Sequence, residues 1–127
     1  SLKINEEIGE KRGIGYSLNN IGIIYSRQND IPKALEYYHK SLKFQQEGNN
    51  KSGVATSYNN IGTIYDNKGE YLKALGYYNK SLKIREELGD KNGIALSFNN
   101  IGFVYNNLGD SIKALNYYFK SLKIREL

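Results

Sequence analysis

Asn19-Asn20-Ile21-Gly22 returns as Asn59-Asn60-Ile61-Gly62 and again as Asn99-Asn100-Ile101-Gly102, forty residues apart each time. The rest of the chain falls into register around these copies. Tyr25, Tyr65 and Tyr105 stand three places past the glycine, and Lys-Ala-Leu begins at 33, 73 and 113. When residues 15–47 are laid against 55–87 and 95–127, 15 of 33 positions carry the same residue in all three copies. A period of this length is the signature of a stacked repeat array, whose units bury their apolar faces only against their neighbours.

Within one period the punctuation is helical. Gly9-Glu10, Asn49-Asn50 and Gly89-Asp90 read as a helix stop followed by a helix start, because Gly or Asn tolerates a left-handed cap and Asp or Asn caps the next N-terminus. Glu10 is the weakest of these caps. Asn29-Asp30, Gly69-Glu70 and Gly109-Asp110 repeat the signal, and Pro32 stands in the first turn, where its missing N–H costs nothing. Ile14, Leu18, Ile21 and Tyr25 fall on one helical face, as do Ile31, Ala34, Leu35, Tyr38 and Leu42 on the next segment. Each unit is thus two helices of about sixteen to eighteen residues, and the short turns force them antiparallel. The expected organisation is a partial second helix of a preceding repeat over 1–10, then repeats at 11–48, 49–88 and 89–127, about seven helices in all. Without an initiating Met, and with residues 1–8 matching 41–48, the chain reads as part of a longer protein.

Leu18-x2-Ile21-Gly22-x2-Tyr25 followed by Ala34-x3-Tyr38 resembles the tetratricopeptide repeat pattern, with Leu18, Tyr58 and Phe98 where that family favours Trp. Ser41, Ser81 and Ser121 replace the family's alanine after the second aromatic, and its closing proline is missing. The forty-residue period is similar to that of kinesin light chains, spindle-orienting scaffolds and the sensory halves of bacterial histidine kinases. The resemblance implies an all-α, right-handed α-solenoid whose first helices line a concave groove. Gly22, Gly62 and Gly102 each cost about 1 kcal/mol relative to alanine in a helix interior, so they are expected to serve close packing against Ala34, Ala74 or Ala114. Nine tyrosines, at 25, 37, 38 and their copies, read as packing between helices.

The groove side implied by the resemblance carries Tyr16, Asn19, Asn20, Ile23 and Arg27 in the first unit, Thr56, Asn59, Asn60, Thr63 and Asn67 in the second, and Leu96, Asn99, Asn100, Phe103 and Asn107 in the third. Asparagine is about 0.6 kcal/mol worse than alanine in a helix, so the six in the repeated pairs cost on the order of 3 to 4 kcal/mol. An amide offers both donors and an acceptor, which suits it to an extended peptide backbone. The ladder resembles the peptide-holding grooves of kinesin light chains and of the O-GlcNAc transferase superhelix. Two other readings stay open: the amides bond neighbouring helices to one another, or duplication copied them. The family's carboxylate clamp needs Lys and Arg on this face, where Thr56, Asn59, Asn60 and Leu96 stand and Arg27 is the one cation.

The net charge of +5 sits mainly on nine lysines of the second helices, at 33, 40, 43 and their copies. Glu36, Glu47 and Glu87 interrupt them, and no aromatic row is expected beside them, so a solvated ridge is expected and nucleic acid is not. Neither a membrane partner nor a membrane span is expected, since no apolar run approaches the roughly 20 residues required. A cytoplasmic setting is favoured. With no cysteine and one histidine, His39, the chain offers no thiolate site and no catalytic constellation, so no enzyme activity, metal or cofactor is expected. The expected function is non-catalytic protein or peptide binding. The alternatives are a structural or self-assembling segment and a regulatory domain of a larger signalling enzyme. Ile4 and Ile8 are expected to cover the first asparagine-bearing helix, and an open face around Tyr117 and Ile124 leads to an expectation of head-to-tail self-association.

Overall fold

The computed structural model describes residues 2–126, which form six α-helices and no strand: α1 (Leu2–Arg27), α2 (Ile31–Glu47), α3 (Lys51–Asn67), α4 (Tyr71–Leu88), α5 (Lys91–Asn107) and α6 (Ser111–Glu126). The outermost residues of the expected terminal segments, 1 and 127, lie outside the described range. Five helix stops fall where the sequence places them. Asn29, Asn49, Gly69, Gly89 and Gly109 all take positive φ, between 52° and 84°. Asp30, Asn50, Asp90 and Asp110 then accept hydrogen bonds from the backbone N–H three residues on, closing the start of the next helix.

The sixth expected stop does not form: α1 runs unbroken through Gly9-Glu10, so six helices stand where about seven are read from the sequence. Asn50 and Asp90 cap the helices at the equivalent turns with bonds to Gly53 and Gly93. Gly69-Glu70 ends α3 with the same dipeptide and no side-chain cap bond, so these two residues alone do not decide whether the helix stops. Ile4 and Ile8 continue along the axis of α1 and do not fold back over it. Arg12 instead reaches the turn after α2, its guanidinium donating to the carbonyls of Gly48 at 2.7 Å and Asn49 at 3.1 Å.

Helices pair as α1 with α2, α3 with α4 and α5 with α6, and the pairs stack through α2 on α3 and α4 on α5. The stacking builds two core clusters: Ala34, Tyr38, Ile61 and Ile64 between the first two pairs, and Ala74, Leu75, Tyr78, Ile101 and Val104 between the last two. The helical glycines do serve close packing, but their main partner is the second aromatic and not the alanine. A Cβ on Gly22 would meet the Tyr38 ring at 2.7 Å, one on Gly62 the Tyr78 ring at 2.8 Å, and one on Gly102 the Tyr118 ring at 3.0 Å. The alanines contribute a carbonyl, with Ala74 O at 3.4 Å from that point on Gly62. The departure to serine is explained as well. Buried Ser41, Ser81 and Ser121 donate from Oγ to the carbonyls of Gly15, Ala55 and Ala95 at 2.7, 2.8 and 3.0 Å, pinning each second helix to its own first helix.

Candidate functional site

The asparagine pairs stand on the first helices, and the structure engages much of their hydrogen-bonding capacity internally. Asn60 Nδ2 donates to Asn19 Oδ1 at 2.8 Å, and Asn100 Nδ2 donates to Asn59 Oδ1 at 2.9 Å. Each bond runs from the second asparagine of one repeat to the first asparagine of the repeat before, so the ladder ties α1 to α3 and α3 to α5. Asn19 is buried, Asn59, Asn60, Asn99 and Asn100 are half-buried, and Asn20 is exposed. One of the two alternatives to peptide binding, amides bonding neighbouring helices, is therefore realised in these four residues. Capacity remains, because each amide carries two donors and an acceptor with two lone pairs. Asn60 keeps its Oδ1 and Asn19 its amino group outside the ladder bonds.

Around the ladder the other expected groove residues divide. Tyr16, Leu96 and Phe103 leave between two-fifths and half of their surface open, and Arg27, Thr63, Asn67 and Asn107 are exposed. Ile23 packs against the first core cluster. Several polar members are already held. Tyr16 Oη accepts from Asn50 Nδ2 at 2.8 Å, and Thr56 Oγ1 donates to the Ser52 carbonyl. Thr63 Oγ1 donates to the Asn59 carbonyl and accepts from Tyr78 at 3.1 Å. Two surface hollows, of about 320 and 250 Å³, lie at the α3–α4 and α2–α3 turns, and no ladder residue lines either.

The lysine ridge differs from its sequence reading, for an aromatic row does accompany it. Tyr25 stacks on Tyr37, Tyr65 on Tyr77 and Tyr105 on Tyr117, with centroids 5.5 to 5.7 Å apart. Lys33, Lys73 and Lys113 lie over the first ring of each pair at 5.2 to 5.3 Å, and Lys40, Lys80 and Lys120 over the second at 4.9 to 5.4 Å. Spacing assigned these rings to helix packing but could not show that the lysines fold down onto them. Each ring is engaged by its stacked partner and by an ammonium, each ammonium contact being worth about 0.5 to 1 kcal/mol at such exposed sites.

Tyr78 is the most tightly held polar group near the ladder. It is 2% exposed, and its hydroxyl donates to Thr63 Oγ1 and, at 3.4 Å, toward Asp66 Oδ2. Burial pushes its pKa up to about 12, the Thr63 bond works the other way and the Asp66 carboxylate adds to the rise. Burial also raises Tyr38 and Tyr117. An unfolded tyrosine titrates near 10, so the folded state holds this proton more tightly. The resulting stability is fully present below about pH 10 and is lost as pH rises from about 10 through 12. Urea midpoints at about pH 9 and pH 11 are expected to fall steeply for the native chain. The fall should be shallower for Tyr78→Phe, which starts lower but has no phenol there to ionise.

The open face at the C-terminal end is not the one expected. Tyr117 is stacked on Tyr105 of the repeat's own first helix and, like Ile124, is half-buried. The exposed apolar row of α6 is Ile112, Leu115, Phe119 and Leu122, each more than half exposed. Among the described residues no group of His, Asp and Glu side chains could hold a metal ion, and no helix is long and apolar enough to cross a membrane. His39 is exposed.

A family model for the tetratricopeptide repeat matches residues 48–126, and a second model of the same description matches 15–47. No curated protein matches the chain. Among solved structures, BtubC (BKLC) from P. vanneervenii is 28% identical with a TM-score of 0.83, over 98% of this chain and 52% of that one. The chain thus spans about half the length of that relative. The TPR domain of Arabidopsis FLU is 22% identical with a TM-score of 0.82, covering 91% of this chain and 98% of that one. The N-terminal domain of C. elegans stress-induced protein-1 is 20% identical with a TM-score of 0.76, covering 90% and 86%. At these last two identities the likeness is one of fold.

Proposed function

The chain belongs to the tetratricopeptide repeat family, and from that premise we propose that this protein-interaction scaffold holds an extended peptide along the first helices α1, α3 and α5. The observation that carries the reading is the pairing, on one side of the array, of open apolar surface at Tyr16, Leu96 and Phe103 with amides that keep unused donors and acceptors. Apolar pockets would take side chains, and the amides would take the backbone between them. Asn20 is the sharpest probe, being exposed. Asn60 is a poorer one, since its loss also breaks a bond to Asn19.

A peptide selected from a random library against the native chain is expected to lose about 1 to 2 kcal/mol of affinity when Asn20 becomes alanine, with the melting temperature unchanged or raised. Phe103→Ala should weaken the same peptide by a similar amount. A library that yields no ligand in competition with these substitutions would count against the groove. A second reading, that copies of the chain associate head to tail, is favoured by a different observation. Leu115 and Leu122, open on α6, are the forty-residue counterparts of Leu75 and Leu82, which pack in the cluster that joins α4 to α5.

A further inference from the structure

We propose that the exposed side of the second helices α4 and α6 is a contact surface for an anionic lipid bilayer, with lysines set around protruding apolar side chains. Leu72 and Ile112 are 79% and 80% exposed, and Phe119 is 64% exposed. The three belong to one stripe. Leu72, Gly76, Asn79 and Lys83 recur as Ile112, Asn116, Phe119 and Lys123, at the spacing of neighbours along a helix, and all of them are exposed.

This exposure is not set by the ends of the array. Leu72 lies in the middle repeat with a helix pair on either side, and Ile112 is its counterpart. Position 119 corresponds to His39 and Asn79, which are exposed in the two repeats that have a repeat after them. Leu115 and Leu122 take no part, because their counterparts Leu75 and Leu82 pack in the cluster that joins α4 to α5.

The charge around the stripe has one sign. Lys73, Lys80 and Lys83 on α4 are exposed, as are Lys113, Lys120 and Lys123 on α6, and neither 72–83 nor 112–123 holds a carboxylate. Among the described residues Lys73 alone of these lysines has an acidic partner within 4 Å, Glu70 at 3.5 Å. The pattern breaks on α2, where Pro32, Glu36 and His39 occupy the stripe and Lys40 is paired with Glu36. The surface is therefore built by the second and third repeats.

Two features favour lipid over other polyanions. The tyrosine faces beneath the lysines are already taken, Tyr65 by Tyr77 and Lys73, Tyr105 by Tyr117 and Lys113, which leaves no platform for a nucleic-acid base. The apolar tips also stand singly among the lysines and do not form one patch. A protein partner needs a contiguous, shape-matched centre, whereas a fluid interface takes each side chain independently and lets lysine heads stay at headgroup level. The lack of a long apolar helix bears on crossing a bilayer and not on resting against one. The sequence expectation of no membrane partner therefore does not reach this surface.

The probe is a vesicle of phosphatidylcholine with about 30% phosphatidylserine, set against phosphatidylcholine alone. The native chain is expected to sediment with the anionic vesicle at low salt, to partition about tenfold more weakly onto the neutral one, and to be released by added salt. Leu72→Ser, Ile112→Ser and Phe119→Ser together should lower partition by about tenfold or more at unchanged charge. Their melt by circular dichroism should stay in place, because all three side chains are exposed. The chain has no tryptophan, so Phe119→Trp supplies a single fluorophore, whose emission should shift to the blue on the anionic vesicle. Tyr16→Trp, on α1, should not shift. No binding to the anionic vesicle overturns the proposal, whether or not single-stranded DNA or an acidic protein is retained instead. Binding that the triple serine variant keeps in full, or a Phe119→Trp emission that does not move on bound protein, overturns it as well.

Discussion

Alanine in place of Tyr78 is expected to cost the fold about 3 to 5 kcal/mol, the range for deleting a buried aromatic. The side chain is 2% exposed and belongs to the cluster that joins the second pair of helices to the third. Its ring also fills the space beside Gly62, and its hydroxyl holds Thr63 and Asp66. Removal would empty the seam inside the middle repeat and at the same time loosen the junction with the last one. In a repeat array stability is close to a sum of unit and nearest-neighbour terms, so damage at the centre uncouples both ends. Small domains hold only about 5 to 15 kcal/mol in total. Urea unfolding followed by circular dichroism should show an early midpoint, and a shallower transition if the repeats come apart. Tyr118→Ala is the control. Its counterpart ring is only half-buried, so it should lose less. Equal losses at the two positions would mean that the inter-repeat junction contributes little.

Leucine at Gly62 is expected to cost about 3 kcal/mol, the upper end for overpacking a filled core. Two terms oppose each other here. Any side chain removes the helix penalty of glycine, about 1 kcal/mol, while even a Cβ would lie 2.8 Å from Cδ1 and Cε1 of Tyr78. That ring cannot swing aside, since its hydroxyl is tied to Thr63 and Asp66 and its other contacts are core. Alanine brings the two terms near balance; leucine adds volume with no further gain in propensity. Gly76 supplies the opposite sign. It sits inside α4 with nothing within 4 Å of a built Cβ, so Gly76→Ala should stabilise by up to about 1 kcal/mol. If melting temperatures moved the same way for Gly62→Leu and Gly76→Ala, the tight contact with Tyr78 would not be what keeps glycine at position 62.

The amino-acid sequence by itself determined the backbone. The forty-residue period, five positive-φ stops at Asn29, Asn49, Gly69, Gly89 and Gly109, and the caps that follow them are local signals, each carried by one or two residues and decided within one helical turn. The merger of the first segment with α1 was not legible in this way, because Gly9-Glu10 and Gly69-Glu70 are the same dipeptide and only the second breaks the helix. Which atoms meet was decided only by the tertiary structure. A helical face read at 100° per residue places Gly22 and Ala34 on facing sides. It cannot say that the Tyr38 ring, and not the alanine, fills the gap. Nor can it separate an asparagine aimed at a ligand from one bonded forty-one residues away, as Asn60 is to Asn19. The lysines looked solvated because their stems and heads are long enough to go either way, and packing of the tyrosine pairs beneath them settled it. All of these contacts depend on the rotation and offset between successive units. That rotation is a sum of many side-chain volumes across the junctions, and no single stretch of sequence encodes it.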